Sequence, residues 1–288
     1  MLQTYNYINF AQYNREKIVL KQLFSYTHPE GVTTTAELSI GLSKQLASFI
    51  VLDQISGKPR ALSFFEVEEW GQNSISTFLE YCSNLGSYSS IQLFVAPTEQ
   101  TLLPISQFEK EALRQHHQLT LPNISDSVFL HESYADWQFY VGYSIPSAVL
   151  QAIKTAFPSC GIKHVFKPIL YNLPERIVEG TLCIDVCVQQ FSIVLFRGHQ
   201  LLFCNTFSYT SEFDTLYFLL KICRENLLQT SDVQVFLSGL IDSSSKLYAE
   251  LGSYFRQLAF RENDKDWSDI DLPTHYFTVL SNNLQCVS

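Results

Sequence analysis

The sequence predicts an α/β protein in which one folding unit occurs twice. Three observations predict this fold class. The first is an alternating apolar run at residues 182–188, and the second is the order of segments in the second half: three apolar segments, one amphipathic segment and a fourth apolar segment. The third is that the first half of the chain has the same order of segments. A period of two residues is typical of a strand, and a period of 3.6 residues is typical of a helix. We therefore expect two related lobes, each with a mixed sheet.

The second half carries the clearer copy of the unit. Residues 182–188 place apolar side chains on both faces, as expected of a central strand that is covered on both sides. Gly198 supplies the tight turn between the next two apolar runs, residues 191–196 and 201–207. This pattern predicts a three-stranded meander.

A helix and a returning strand are predicted to follow the meander. Ser211 and Asp214 have the spacing of a capping box at the start of a helix. Residues 233–237 are short, apolar and rich in β-branched side chains, which indicates a buried strand beside the first one. Ser243 is predicted to cap the last helix.

The first half repeats this order with weaker identity. Residues 38–45 resemble 182–189, Gly57 takes the place of Gly198, and residues 91–95 correspond to 233–237. We interpret the repeat as a duplication, with chance similarity between two α/β units as the alternative. The predicted organisation is an N-terminal extension at residues 1–35, a first lobe at 36–175 and a second lobe at 176–288.

The remaining segments are less regular. Residues 16–26 are predicted to be either a helix or a strand, and residues 106–115 a helix. The other predictions are strands at 127–130, 137–143 and 163–166, and a helix from Pro146 to about Phe157.

Composition excludes several classes of protein. The chain has 288 residues, 46% hydrophobic and 16% charged, which is typical of a folded protein with large cores. A net charge of −9 argues against a nucleic-acid partner, which requires clustered Lys and Arg. The N-terminal residues lack the pattern of a secretory signal, and no apolar run approaches the ~20 residues of a membrane-spanning helix. We expect a cytoplasmic protein without membrane insertion.

Neither the cysteines nor the acidic residues predict a metal site. Cys183 and Cys187 would lie about 13 Å apart on a strand, which is too far for both to ligate one zinc ion. We interpret all seven cysteines as free thiols in a reducing compartment. An acidic run at residues 262–271 is interpreted as a solvated loop, with a cation site as the alternative.

The predicted order of elements is the ribonuclease-H-like topology, and two such lobes in tandem form the actin-like ATPase architecture. Three segments, GTLCIDVCVQQFSIVLFRGHQLLFCNTF, LSIGLS and WQFYVGYSIPSAVLQAIKTAFP, resemble an uncharacterised bacterial family of about this length. That family is ascribed an actin-like ATPase fold and no known activity. More distantly, the second half is similar to the actin-like cytoplasmic platform proteins of pilus and secretion systems.

The resemblance implies a nucleotide site between the lobes, formed by two phosphate loops. This chain departs from the expected pattern in both loops. Gly41 stands where the first phosphate loop has an aspartate, whereas Asp185 matches the acidic position of the second loop. The five residues after Asp185 contain no glycine, and non-glycine residues disfavour the left-handed backbone of such loops. The candidate nucleotide-binding residues of the cleft are Gly41, Ser43, Lys44, Asp185, Gln189, Ser238 and Gly239.

The eroded loops favour a noncatalytic actin-fold protein that acts as a scaffold or protein-interaction module without a cofactor. The alternative is an ATP-dependent switch, phosphotransferase or ATPase that uses ATP with magnesium in the cleft. A ribonuclease-H-type nuclease is set aside because it needs several carboxylates around metal ions. A protein partner or self-association is expected, since 22 Phe and 15 Tyr exceed what the predicted strands and helices account for.

Overall fold

A computed structural model of the protein describes residues 20–33, 35–120, 126–171, 173, 180–262, 267, 270 and 272–281. The strands are β1 Leu20–Thr27, β2 Ala36–Leu42, β3 Leu46–Asp53, β4 Pro59–Val67, β5 Ser90–Val95, β6 Gln100–Pro104, β7 Ser127–Tyr134, β8 Phe139–Pro146, β9 Gly161–His164, β10 Gly180–Cys187, β11 Gln190–Arg197, β12 Gln200–Ser208, β13 Val233–Gly239 and β14 Gln257–Phe260. The helices are α1 Gln72–Asn84, α2 Lys110–Thr120, α3 Ser147–Ala156, α4 Phe166–Tyr171, α5 Glu212–Glu225, α6 Lys246–Tyr254 and α7 Thr278–Ser281.

The first and second lobes are built on sheets with the same strand order. The second sheet runs β12-β11-β10-β13-β14, in which β10 pairs antiparallel with β11 and parallel with β13. The first sheet runs β1-β4-β3-β2-β5-β9, so its last five strands repeat that order and those directions. Both sheets are therefore led by a three-stranded meander with a parallel fourth strand beside its first strand, as the sequence predicts.

The described part of the predicted N-terminal extension is not separate from the first lobe. Strand β1 pairs antiparallel with β4, from Leu20 opposite Val67 to Thr27 opposite Ala61. Tyr26 and Phe24 pack on the apolar core of that lobe. Residues 20–27 thus form an edge strand, and residues 1–19 lie outside the described residues.

A small third sheet is inserted between β5 and β9 of the first lobe. Its order is β6-β8-β7, and α2 covers one of its faces through the buried Leu113 and His117. Its other face contributes Val141 and Tyr143 to the core of the first lobe. Trp137 of this insert contacts Phe196 of the second lobe, with ring centroids 5.1 Å apart.

The lobes are packed together through apolar side chains. Helices α5 and α6 cover one face of the second sheet. Cys183, Val194, Phe196 and Cys204, on the opposite face, belong to the same apolar cluster as the core of the first lobe. The second lobe therefore contributes directly to the first lobe's core.

The C-terminal segment crosses back to the first lobe, although the sequence-based division assigns it to the second. Phe277 stacks on Phe64 of β4 with ring centroids 4.6 Å apart, and Trp267 and Leu280 join the same cluster. His275 remains tied to the second lobe through its Nε2 atom, which lies 2.7 Å from the carbonyl oxygen of Ile241. The segment thus lies between the lobes.

Two predicted boundaries are wrong for local reasons. Helix α6 is capped by Ser245, not Ser243, because Asp242 Oδ1 accepts hydrogen bonds from the N–H and hydroxyl of Ser244 and holds a turn there. The strand predicted at residues 163–166 ends at His164, whose Nδ1 accepts the N–H of Phe166 as α4 begins. The capping box of α5 is present as predicted.

Candidate functional site

The predicted site lies where the turns of the two meanders face each other across the lobes. A cavity of about 40 Å³ lies between them. Four of the predicted residues line this cavity, namely Gly41, Ser43, Asp185 and Gly239. The other three do not: Lys44 and Gln189 are exposed, and Ser238 is buried beside Asp185.

The C-terminal segment lines the cavity beside Gly41. Tyr276, Val279 and Leu280 line the cavity together with aromatic and aliphatic side chains of the first sheet. A Cβ atom at Gly41 would lie 2.7 Å from Ser48 Oγ and 3.1 Å from Leu280 Cδ2. A side chain at this position would therefore require the Ser48 and Leu280 side chains to move.

Asp185 is the acidic group of the cavity and is 8% exposed. Ser238 Oγ donates to its Oδ1 at 2.7 Å, and Cys187 Sγ donates to its Oδ2 at 3.9 Å. Burial raises the pKa of the Asp185 carboxyl to about 6, and the Ser238 hydrogen bond and the nearby positive charge of Arg261 oppose that rise. Arg261 is itself buried and donates to the carbonyl oxygen of Ile169 at 3.0 Å.

The turn after Asp185 contains a residue in the left-handed conformation, and this residue is not a glycine. Gln189 has a φ of 52°. This conformation is unfavourable for residues other than glycine, so the sequence does not predict it here. The N–H of Tyr209 donates to the Gln189 carbonyl at 3.0 Å, and the Tyr209 hydroxyl donates to the Cys187 carbonyl at 3.0 Å. These two bonds hold the turn in place.

Gln190 is the residue of this site that sequence analysis missed. Its side chain, 1% exposed, crosses to the first lobe, where its Oε1 accepts the N–H of Lys44 and its Nε2 donates to the carbonyl oxygen of Ala96. No motif identifies it, because its partners Lys44 and Ala96 are distant from it in sequence.

Gly239 has a left-handed backbone and lies against Val186 of β10. Its φ is 80°, and a Cβ atom there would lie 2.2 Å from the carbonyl oxygen of Val186. Strand β13 could not approach β10 this closely with any other residue. The glycine is therefore explained by contact within the second sheet.

Neither a metal site nor a membrane-spanning helix is found in the part of the chain that the structure describes. It contains no cluster of three or more His, Cys, Asp or Glu side chains that could hold a metal ion, and most of the acidic run at residues 262–271 lies outside it. No helix among the described residues is long and apolar enough to cross a membrane. Six cysteines are free thiols, and Cys286 lies outside the described residues.

A family model described as "Protein of unknown function (DUF3822)" matches residues 31–258. The chain belongs to the DUF3822 family. No functionally curated protein matches this DUF3822 sequence.

Solved structures agree with the fold of this DUF3822 member. A Bacteroides thetaiotaomicron VPI-5482 protein with an actin-like ATPase fold and unknown function has 18% identity and a TM-score of 0.68, over 79% of this chain and 91% of that chain. The PilM–PilN type IV pilus biogenesis complex gives 12% identity and a TM-score of 0.58, over 89% and 100% of the two chains. EutJ of Carboxydothermus hydrogenoformans, an ethanolamine utilization protein, gives 9% identity and a TM-score of 0.47, over 90% of this chain and 93% of that chain. The protein has the actin-like ATPase fold.

Proposed function

We propose that this DUF3822 protein is a noncatalytic actin-fold protein, without a nucleotide cofactor, that acts as a scaffold or protein-interaction module. One observation carries the proposal: the space between the lobes at the predicted nucleotide site is a cavity of only about 40 Å³. Pockets for small-molecule ligands occupy about 300–1,000 Å³. Triphosphate binding would require the lobes and the C-terminal segment to separate.

The polar groups of the cleft support the same proposal. Phosphate sites need free backbone N–H groups and, for magnesium, accessible carboxylate oxygens. Here the N–H of Lys44 donates to Gln190, and Asp185 is buried with hydrogen bonds to both of its oxygens. Gly41 offers no carboxylate, and the side chains of Ser48 and Leu280 lie against it.

Support for a protein partner comes from a relative and from one helix. The similar PilM structure is a complex with PilN, so this fold can serve protein assembly. The abundance of aromatic residues is weaker support than the sequence suggests, because most described Phe and Tyr side chains are buried or half-buried. Phe213 and Tyr217 remain 64% and 60% exposed, one turn apart on α5. A cytoplasmic location and the absence of a nucleic-acid partner remain part of this proposal.

Isothermal titration calorimetry with ATP and magnesium tests the proposal. We expect neither binding at micromolar affinity nor hydrolysis in a parallel phosphate-release assay. Micromolar binding that is lost in Asp185→Ala would refute the noncatalytic proposal and favour the ATP-dependent alternative. The partner itself is tested separately, by cross-linking in the native host followed by mass spectrometry, which would identify the bound protein.

A further inference from the structure

Two adjacent glutamines, Gln189 in the β10–β11 turn and Gln190 at the start of β11, have opposite surroundings. Gln189 is exposed to solvent, whereas Gln190 is 1% exposed although its side chain is polar. A buried carboxamide is costly unless both its donor and its acceptor groups are paired. Both groups of the Gln190 carboxamide are paired.

Both partners of Gln190 lie in the other lobe. Its Oε1 accepts the N–H of Lys44 at 3.2 Å, and its Nε2 donates to the carbonyl oxygen of Ala96 at 2.5 Å. Lys44 lies in the β2–β3 turn, and Ala96 follows β5 directly. One carboxamide thus joins two separate turns of the first lobe to the second lobe.

Those two turns are fixed within the first lobe. The N–H of Ala96 donates to the Leu42 carbonyl at 2.8 Å, and the N–H of Ser43 donates to the Leu46 carbonyl at 2.9 Å. The Trp70 indole N–H donates to the Ser43 carbonyl at 2.7 Å. The donor and acceptor that receive Gln190 are therefore held at a set separation.

The second lobe presents Gln190 from a turn of defined shape. Gln189 adopts a left-handed conformation that is unfavourable for a residue with a Cβ atom. Such a conformation persists where the surrounding structure determines it, and here the two Tyr209 hydrogen bonds do so. The turn therefore points Gln190 across the cleft while Gln189 faces solvent.

We propose that Gln190 is an intramolecular latch that keeps the two lobes in one closed arrangement. It occupies the N–H of Lys44 and the carbonyl of Ala96, and Ala96 lines the cavity between the lobes. Opening the lobes breaks both hydrogen bonds and exposes the N–H of Lys44 and the carbonyl of Ala96 to water. This goes beyond the proposed function, because a latch can be present whether or not the cleft binds ATP.

Hydrogen exchange in a matched pair of variants tests the latch. Gln190→Met keeps the length of the side chain and removes both hydrogen bonds, and Gln189→Met makes the same change at the exposed neighbour. We expect the amide of Lys44 to exchange about tenfold faster in Gln190→Met, the effect of losing roughly one buried hydrogen bond. The thiol of Cys187, which lines the cavity between the lobes, should be alkylated about tenfold faster for the same reason. Amides within β2 and β10 should keep their wild-type rates.

Two outcomes would overturn the latch. Equal exchange of the Lys44 amide in the two variants would mean that Gln190 does not hold the lobes. A uniform increase at all amides of Gln190→Met would mean that Gln190 contributes only to global stability.

A measurement on the wild-type protein covers the case in which Gln190→Met does not fold. The carboxamide hydrogens of Gln190 should exchange at least tenfold more slowly than those of Gln189 in NMR spectra, because only the former are buried and bonded. Equal rates for the two carboxamides would refute the proposal.

Discussion

Replacing Asp185 with asparagine is expected to stabilise the protein above pH 6. Burial raises the pKa of this carboxyl from 3.8 to about 6, so the folded state resists its ionisation. Asparagine has nearly the same shape and can still accept the Ser238 hydrogen bond, which is 2.7 Å long. The variant therefore removes the cost of the buried charge and keeps the Ser238 contact, while the Cys187 thiol loses its weaker, 3.9 Å contact.

The magnitude follows from proton linkage. A carboxyl with a raised folded pKa destabilises the protein as pH increases from 3.8 to about 6, and the full cost is present above that range. A rise of about 2.2 units corresponds to about 3 kcal/mol. We expect Asp185→Asn to be more stable than the wild type by about 3 kcal/mol at pH 8 and by about 0.5 kcal/mol at pH 4.

Urea unfolding of both proteins from pH 4 to pH 8 measures this difference. Asp53→Asn is the matched control with the opposite sign, because hydrogen bonds from Ser56 lower the pKa of Asp53 to about 2. That variant should lose stability at neutral pH. Lower stability of Asp185→Asn at pH 8 would refute the reasoning, since it would mean that attraction to Arg261 outweighs the burial of the carboxylate.

Three further predictions concern the packing and the titration of buried groups. Gly239→Ala should lower the free energy of unfolding by more than about 2 kcal/mol, because its methyl group would lie 2.2 Å from the Val186 carbonyl; an unchanged melting temperature would contradict this. Burial lowers the pKa of His164 to about 3, so the unfolded chain binds the proton first and stability should fall by about 2 kcal/mol between pH 7 and pH 5. His164→Gln should remove that part of the pH dependence, and identical pH profiles by urea unfolding would disprove the assignment. Alkylation of the denatured, unreduced protein should modify all seven cysteines, and a smaller mass increase would indicate a disulfide or a bound metal.

Local patterns in the sequence were sufficient to predict that the chain contains two related sheets. Alternation at residues 182–188 predicts the central strand because the side-chain period of a strand is set by its own backbone. The capping box of Ser211 and Asp214 is equally local, since both of its hydrogen bonds lie within one turn. The order of such elements then predicts the two lobes, and the two sheets have that order.

The contacts of the candidate site could be seen only in the tertiary structure. Sequence comparison could place Asp185 and Gly41 at the ends of their strands, because these positions follow from the strand pattern. It could not show that Leu280 packs on Gly41 or that Gln190 reaches Lys44 and Ala96. These contacts join residues far apart in sequence, so they form only when the whole chain is folded. A periodic pattern specifies which face of an element is apolar, but not which distant element covers it.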